Sequence, residues 1–230
     1  MLFLIPFNIL SYDMNEHIIF DLDGTLIDSA PSIVESFIYA FASLGITPSK
    51  TITSEVVGPP LMPTLAMLAG QGDPELLQQL ATKFKVHYDA QGYKKSTVFP
   101  GVEVFLDTLS QSGATLYIAT NKRDLPTQKI MKHLNWGHYF KGVFSLDTYM
   151  PPLATKPLMV ARILEDYQIN PAQAVYIGDR YEDGLAADHN HIDFVMVTWG
   201  YADQVKTQLK ASWVECLDVK ALQSHLMTTG

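Results

Sequence analysis

The sequence is short of cysteine and of positive charge, and both shortages exclude classes of protein. One cysteine, Cys216, in 230 residues cannot form an internal disulfide or a cysteine-rich zinc site, so we interpret it as a packing residue. This cysteine usage favours a reducing compartment such as the cytoplasm. The formal net charge of −8 argues against nucleic acid or an anionic membrane as the partner, because both attract basic surfaces.

The N-terminal stretch MLFLIPFNIL is apolar but has neither a cationic leader nor a small-residue cleavage site. It is also shorter than the ~20 residues that cross a bilayer. Met14 stands shortly before the first predicted strand, which suggests that the natural chain begins near Met14. The alternative is an extra N-terminal arm packed on the surface.

The pattern of apolar runs predicts an α/β fold with a doubly wound parallel sheet. Apolar residues make up 47% of the chain, enough for a sizeable core. Short apolar runs predict strands at 17–20, 115–120, 143–146, 174–177 and 194–197. Amphipathic segments predict helices at 102–112, 127–134 and 157–167, and a further segment at 182–189 leads to the last strand. Strands that alternate with helices form a parallel sheet covered on both faces.

Residues 30–96 interrupt this alternation and predict a helical insertion. A helix over 31–44 would bury a stripe of apolar side chains, and Asp73-Pro74 is a favourable start for a second helix. The first stripe consists of Ile33, Phe37, Ile38, Phe41 and Leu44; the second consists of Leu76, Leu80, Phe84 and Tyr88. We therefore expect an α/β core from residues 1–29 and 97–230 and a helical cap from residues 30–96.

Acidic residues follow the first predicted strand directly. Asp21 and Asp23 are two residues apart on an extended chain, so their side chains point the same way. Two carboxylates this close are unfavourable unless a cation or a shared proton offsets them. Gly24 permits a sharp turn beside a ligand. The alternative, an ordinary surface turn, rarely places Asp-x-Asp after a buried strand.

Polar groups also follow the second predicted strand and precede a later helix. Thr120 and Asn121 can donate hydrogen bonds to a phosphate oxygen, although an ordinary strand-to-helix turn would have the same composition. Lys156 stands at a helix start, where the helix dipole disfavours a cation unless an anion lies between them. A solvated lysine is the alternative.

A second acidic pair follows the strand 174–177. Asp179 and Asp183 lie four residues apart in GDRYEDG. Oxygen-rich sites without cysteine suit a hard cation such as Mg²⁺, which takes one or two carboxylates together with phosphate and water. The alternative is a capped helix start with Asp183 in its first turn. The carboxyl ends of parallel strands meet at one sheet edge, where ligands of such folds bind.

Taken together, these segments resemble a known family. DLDGTLIDS at 21–29, Thr120, Lys156 and GDRYED at 178–183 are similar to the four sequence motifs of the haloacid dehalogenase superfamily. VVGPPL at 56–61 and VFPGVEVFLDTL at 98–109 resemble its phosphoglycolate-phosphatase-like branch. The resemblance extends over nearly everything from residue 17 onward and implies a Rossmann-like core with an inserted helical cap.

The resemblance also implies a role for each motif residue. Asp21 would be the nucleophile that forms an aspartyl-phosphate, and Asp23 the general acid and then base. Thr120 and Lys156 would hold the phosphoryl group, with Asn121 beside them. Asp21, the backbone carbonyl of Asp23, and Asp179 would bind Mg²⁺, with Asp183 as a further ligand or a partner of a ligand. Arg180 and Tyr181, larger than the residues common in relatives, are expected to face the cap and to alter substrate choice. Gly58 lies where the substrate-facing loop of the cap is expected, and a simple turn glycine is the alternative.

The function implied is a Mg²⁺-dependent phosphatase that acts on the phosphate monoester of a small metabolite, with 2-phosphoglycolate as the candidate from the most similar branch. A sugar-phosphate mutase, which returns the phosphoryl group to its substrate, stays an alternative. A non-catalytic binding module is disfavoured by the intact set of Asp21, Asp23, Lys156 and Asp179. We expect no nucleic-acid or membrane partner and a monomer or homodimer.

Overall fold

A computed structural model describes residues 16–70, 72–201 and 210–228. The strands are β1 (His17–Phe20), β2 (Ile27–Asp28), β3 (Thr97–Val98), β4 (Thr115–Thr120), β5 (Phe140–Ser145), β6 (Ala174–Gly178), β7 (Asp193–Val197) and β8 (Val214–Cys216). The helices are α1 (Ala30–Ser43), α2 (Leu61–Ala69), α3 (Pro74–Ala90), α4 (Val102–Ser112), α5 (Asp124–His133), α6 (Lys156–Asp166), α7 (Tyr181–His189) and α8 (Val219–Thr228). Both predictions about the N-terminal stretch fall outside the described residues.

Six strands form a parallel sheet in the order β5-β4-β1-β6-β7-β8. From β1 the chain reaches β4 and β5 on one side, and then crosses to β6, β7 and β8 on the other. The predicted doubly wound parallel sheet is therefore confirmed. Strand order reverses beside β1, and such reversal points are where open α/β sheets bind ligands.

The central strand β1 is buried on both faces, as its continuous apolar sequence predicts. Ile18 and Phe20 point into one apolar cluster, where Phe20 meets the ring of Phe105 from α4 edge to face at 6.1 Å. Ile19 points to the other face, into a cluster that includes Met159 of α6. Because side chains alternate along a strand, a single four-residue segment anchors both layers of helices.

The helices α1, α2 and α3 share a third apolar cluster of their own. Phe37 of α1 and Phe84 of α3 meet at its centre with ring centroids 4.6 Å apart. This helical segment joins the rest of the chain next to the antiparallel pair of β2 and β3, where Ile27 lies opposite Val98. The predicted division into a core and a cap of residues 30–96 stays a prediction.

The predicted apolar stripe of α1 was wrong at one position. Ile38 is 52% exposed. It follows Phe37 directly, so the 3.6-residue period turns it about 100° away from the buried face. Ser36 and Ala40 occupy that face instead, together with Ile33 and Phe41.

Several element boundaries differ from the sequence prediction. Helix α5 begins at Asp124, three residues before the predicted start. Strand β5 begins at Phe140, three residues before the predicted start, because Lys141 and Gly142 interrupt the apolar run on which the prediction relied. The sequence did not predict β2, β3, β8 or α8. Within the described part of the chain, the helices are all too short or too polar to cross a membrane.

Burial on α4 gives a direct test of the packing. Phe105 is 1% exposed, so Phe105→Ala should lower the free energy of unfolding by about 3–5 kcal/mol through lost burial and a residual cavity. Val104, its neighbour on the same helix, is 69% exposed, and Val104→Ala should change stability by no more than about 0.5 kcal/mol. Urea unfolding of both variants measures the difference; equal losses would contradict this packing.

Candidate active site

Three strand ends converge at one edge of the sheet. The parallel register pairs Phe20 with Ile118 of β4 on one side and with Ile177 of β6 on the other. The next residue, Asp21, donates its backbone N–H to the carbonyl of Ile177 at 2.8 Å. The register therefore sets Asp21 between the ends of β4 and β6, where Thr120 and Asp179 follow.

Asp21, Asp179 and Asp183 form a buried acidic cluster. Each offers one carboxylate oxygen to a group whose members all lie within 4.8 Å of one another. The described residues set one ammonium group against them: Lys156 Nζ lies 2.8 Å from Asp21 Oδ1 and 2.6 Å from Asp183 Oδ1. Three carboxylates thus face one ammonium group, with a smaller contribution from Arg180 to Asp179, so the site keeps an excess of negative charge where solvent scarcely reaches.

The pKa values of this cluster record the excess of negative charge. Burial raises the pKa of Asp21 to about 7 against the opposing effect of Lys156, and Asp183 adds to the rise. Burial also raises the pKa of Asp179 well above its ordinary value, with Asp183 and Asp21 contributing. The charged forms are disfavoured because buried like charges repel each other and lack water.

The sequence left open whether Lys156 is solvated or lies beside an anion. Its side chain is 7% exposed and contacts two carboxylates, so the solvated alternative is wrong. Burial opposes its charge, but Asp183 and Asp21 outweigh that effect and hold the pKa of Lys156 well above its usual value. Anions do lie beside this helix start, and they are carboxylates of the protein itself.

Glycines make room for the carboxylates. Gly24 has φ +88°, and a Cβ there would lie 2.2 Å from Asp179 Oδ2. A Cβ on Gly178 would lie 2.4 Å from Asp183 Oδ2. Gly200 packs equally closely, since its Cβ would come within 2.1 Å of the carbonyl oxygen of Gly24. The acidic cluster is therefore cradled by backbone that tolerates no side chain.

The residues present fit a divalent cation such as Mg²⁺. Asp179 Oδ2 accepts the backbone N–H of Tyr201 at 2.7 Å, whereas Asp179 Oδ1 is buried without a hydrogen-bond partner among the described residues. Such an orphaned carboxylate oxygen is costly unless a ligand satisfies it. A hard cation with oxygen ligands would balance both this atom and the surplus negative charge.

Asp23 lies beside the acidic cluster but points elsewhere. Both of its carboxylate oxygens accept hydrogen bonds from Lys122 Nζ at 2.9 Å, and Ser29 Oγ donates to Oδ1. Its carboxylate is not one of the three grouped side chains. Of the predicted contributions to a metal site, the backbone carbonyl is the one compatible with this orientation.

Lys122 is a site residue that the sequence prediction missed. It is buried, and its ammonium group also lies 4.8 Å from the centre of the Tyr88 ring. Burial lowers its pKa, but Asp23 and Tyr88 together raise it above the ordinary lysine value. Its position two residues after the end of β4 could have identified it. Its neighbours Thr120 and Asn121 were predicted as site residues, but Lys122 itself was not.

Thr120 and Asn121 lie where the strand end predicts, with different contacts. The Thr120 hydroxyl accepts the backbone N–H of Lys122 at 3.2 Å, which leaves its own proton to donate. Asn121 Nδ2 donates to the carbonyl oxygen of Gly58 at 3.2 Å. Arg180 donates to the carbonyl oxygen of Val57. The segment that contains Gly58 is thus bound to two strand ends.

Tyr181 and Tyr201 differ from expectation in opposite ways. Tyr181 was expected beside Arg180 on the cap side, but its ring packs 5.3 Å from Trp213 within the core cluster. Tyr201 was not singled out, yet its hydroxyl donates to Asp28 Oδ1 at 2.7 Å and accepts the N–H of Ser29 at 2.6 Å. Tyr201 therefore links Asp179 to the start of α1.

With this geometry in place, comparison with known proteins assigns the family. Residues 18–197 match the sequence profile of the haloacid dehalogenase-like hydrolases. The chain belongs to this family, which confirms the resemblance drawn from its motifs.

Individual relatives match most of this chain. The chain is 30% identical to a phosphoglycolate phosphatase of Psychrobacter arcticus over 193 residues, which is 80% of this chain and 84% of that protein. It is 32% identical to the tyrosine-protein kinase PtkA of Mycobacterium tuberculosis over 80% of this chain, but spans only 62% of that protein. A solved predicted phosphatase from Clostridium acetobutylicum superposes with a TM-score of 0.81 at 27% identity, over 93% and 98% of the two chains.

The close packing of Gly24 against Asp179 leads to a prediction about adding a single methyl group. Gly24→Ala should weaken Mg²⁺ binding strongly, because the added Cβ displaces Asp179. Gly113 is a matched control: its φ is +91°, but nothing lies within 4 Å of its Cβ position. Both substitutions should cost about 1–2 kcal/mol of stability from backbone strain. Calorimetry should find a loss of Mg²⁺ affinity in Gly24→Ala alone; equal affinities would contradict the cradle.

Proposed function

We propose that this protein is a Mg²⁺-dependent phosphatase that hydrolyses phosphate monoesters of small metabolites through a phosphorylated Asp21. The observation that carries the proposal is the grouping of Asp21, Asp179 and Asp183 around one lysine. Such a site has a nucleophile, a cation to bind the phosphoryl oxygens and an excess of negative charge for a divalent ion to balance. The similarity to a phosphoglycolate phosphatase supports the same chemistry.

In the first step, a carboxylate oxygen of Asp21 attacks the phosphorus atom, and the bond from phosphorus to the ester oxygen breaks. Asp23 gives a proton to the departing oxygen. In the second step, Asp23 takes a proton from a water molecule, which attacks the phosphorus of the acyl phosphate and releases inorganic phosphate and free Asp21. Covalent catalysis of this kind replaces one difficult displacement by two easier ones.

The surroundings of Asp23 suit this double role. Lys122 and Ser29 bind its carboxylate and fix its orientation. A positioned acid or base typically contributes about 10²–10⁴-fold to rate. Fixing the carboxylate before the substrate arrives avoids the cost of ordering it in the transition state.

The phosphoryl group would be held by Thr120 and Lys156. The Thr120 hydroxyl has a proton to donate, and the Lys156 ammonium already faces Asp21 from 2.8 Å. Asn121 has a second amide proton besides the one given to Gly58. When bound, Mg²⁺ would lie among Asp21, Asp179, Asp183 and the carbonyl of Asp23 and neutralise charge on the phosphoryl oxygens.

Residues 30–96 would act as the cap that covers this site. They have an apolar cluster of their own and contact the strand ends through Gly58 and Val57. Tyr88 and Asp89 make further contacts with the residues that follow β4. A cap over the site excludes bulk water from the reaction and can limit turnover by its opening. The single cysteine supports a reducing compartment such as the cytoplasm.

Two substitutions test the proposed roles separately. Asp21→Asn should abolish phosphate release, because an amide is not a nucleophile, while the fold stays intact because a buried charge is removed. Asp23→Asn should lower kcat by about 10²–10⁴-fold. The assay is release of phosphate from p-nitrophenyl phosphate, with circular dichroism as the control for folding.

Full activity in Asp21→Asn would eliminate the proposed nucleophile. The same assay separates the alternative mutase, which should release phosphate poorly from this substrate and require a bisphosphate.

Metal dependence is testable by thermal stability as well as by turnover. Mg²⁺ should raise the Tm of the protein, since it binds the folded state and relieves repulsion among the carboxylates. Asp179→Asn should abolish that rise, whereas Asp193→Asn, at an exposed position at the start of β7, should preserve it. EDTA should stop hydrolysis and Mg²⁺ restore it. A rise in Tm that persists in Asp179→Asn would contradict this metal site.

A further inference from the structure

A pocket opens beside Asp21 and Asp23 between the strand ends and the helical segment. Its volume is about 60 Å³. Because one water needs about 10–15 Å³, the pocket has room for about four to six waters. The catalytic carboxylates, Thr120 and Asn121 line one end. The pocket is therefore placed to take the part of a substrate that departs with the ester oxygen.

The wall away from the strand ends is apolar and aromatic. Helices α1 and α3 and the segment between them contribute Ile33, Phe37, Val57, Leu61, Phe84 and Tyr88. Phe84 and Tyr88 stack with their ring centroids 5.6 Å apart. A wall of this composition favours an apolar occupant, because it offers hydrocarbon surface and few hydrogen-bonding groups.

The cations of the pocket are already matched by carboxylates. Arg123 forms two hydrogen bonds with Asp89 of α3, from Nη1 to Oδ2 at 3.0 Å and from Nη2 to Oδ1 at 2.5 Å. Lys122 binds both oxygens of Asp23. A carboxylate on the departing group would thus meet an apolar wall and two cations that would have to leave their present partners. Burying a charge without a partner is strongly unfavourable.

We infer that the pocket selects phosphate monoesters whose departing group is small, uncharged and apolar, and that it discriminates against a departing group that carries a carboxylate, such as the glycolate of 2-phosphoglycolate. This inference rests on the proposed phosphatase function. The name of a relative suggests 2-phosphoglycolate, but the charge pairing of this chain opposes it.

A matched pair of substrates tests the inference. Isobutyl phosphate has as many non-hydrogen atoms beyond the ester oxygen as 2-phosphoglycolate, with two methyl groups in place of the two carboxylate oxygens. We expect kcat/KM for isobutyl phosphate to exceed that for 2-phosphoglycolate by at least about tenfold. Equal values, or a preference for 2-phosphoglycolate, would overturn the inference.

Two variants locate the origin of the preference. Asp89→Asn should release Arg123 and raise kcat/KM for 2-phosphoglycolate relative to isobutyl phosphate by about tenfold. Glu35→Gln is the matched control: it breaks the exposed pair between Glu35 of α1 and Lys95, neither of which lines the pocket, and should leave the ratio unchanged. Arg123→Gln should leave 2-phosphoglycolate no poorer a substrate relative to isobutyl phosphate; a selective loss would show that Arg123 binds the carboxylate.

The failure of this inference is distinguishable from the failure of the proposed function. If p-nitrophenyl phosphate, isobutyl phosphate and 2-phosphoglycolate all resist hydrolysis, the phosphatase proposal fails and this inference falls with it. If p-nitrophenyl phosphate is hydrolysed but neither test substrate is, the two are compared as competitive inhibitors. Isobutyl phosphate should then bind more tightly, and the opposite order would overturn the inference alone.

Discussion

Three buried carboxylates around one lysine impose the main electrostatic constraint on this structure. Asp21, Asp179 and Asp183 would repel one another in any arrangement that left them ionised and unpaired, and Lys156 offsets only part of that repulsion. The fold nevertheless holds them together, because they follow buried strands or begin a packed helix. The chain thus accepts a destabilising group of charges at one edge of an otherwise apolar sheet, which is where proteins place function.

The backbone around the carboxylates allows this close arrangement. Close approach of the backbone at Gly24, Gly178 and Gly200 lets acidic side chains from distant parts of the sequence come within a few ångströms. Tyr201 then connects Asp179 to Asp28 and Ser29, at the point where the chain enters α1. Hydrogen bonds at the two ends of Tyr201 therefore connect the acidic cluster to the junction with the helical segment.

The limits of the sequence prediction follow from what local pattern encodes. Strands β1 and β4 and helix α4 were predicted with their observed bounds, because continuous apolar runs and helical periodicity are local signals. The two-residue strands β2 and β3 have no such signal, since each exists through pairing with the other.

The same distinction applies within the site. Asp21, Asp179 and Lys156 stand out in the sequence because an acidic or basic residue at a strand end or helix start is unusual. The roles of Lys122 and Tyr201 come from partners 99 and 172 residues away, which no local pattern contains. Tyr181 was misplaced for the converse reason: adjacency to Arg180 in sequence implied a shared direction, whereas successive residues at a helix start diverge by about 100°.

Charge pairing also differs between the two ends of the site. At the sheet edge the carboxylates outnumber the ammonium group, so under the proposed function a substrate phosphate would gain attraction there only with a divalent ion. At the helical end, Arg123 is matched by Asp89 and the surrounding wall is apolar, so little electrostatic attraction is left for the departing group. Under the two proposals, recognition of the phosphoryl group would therefore rest on charge, and selection among substrates would rest on shape and desolvation.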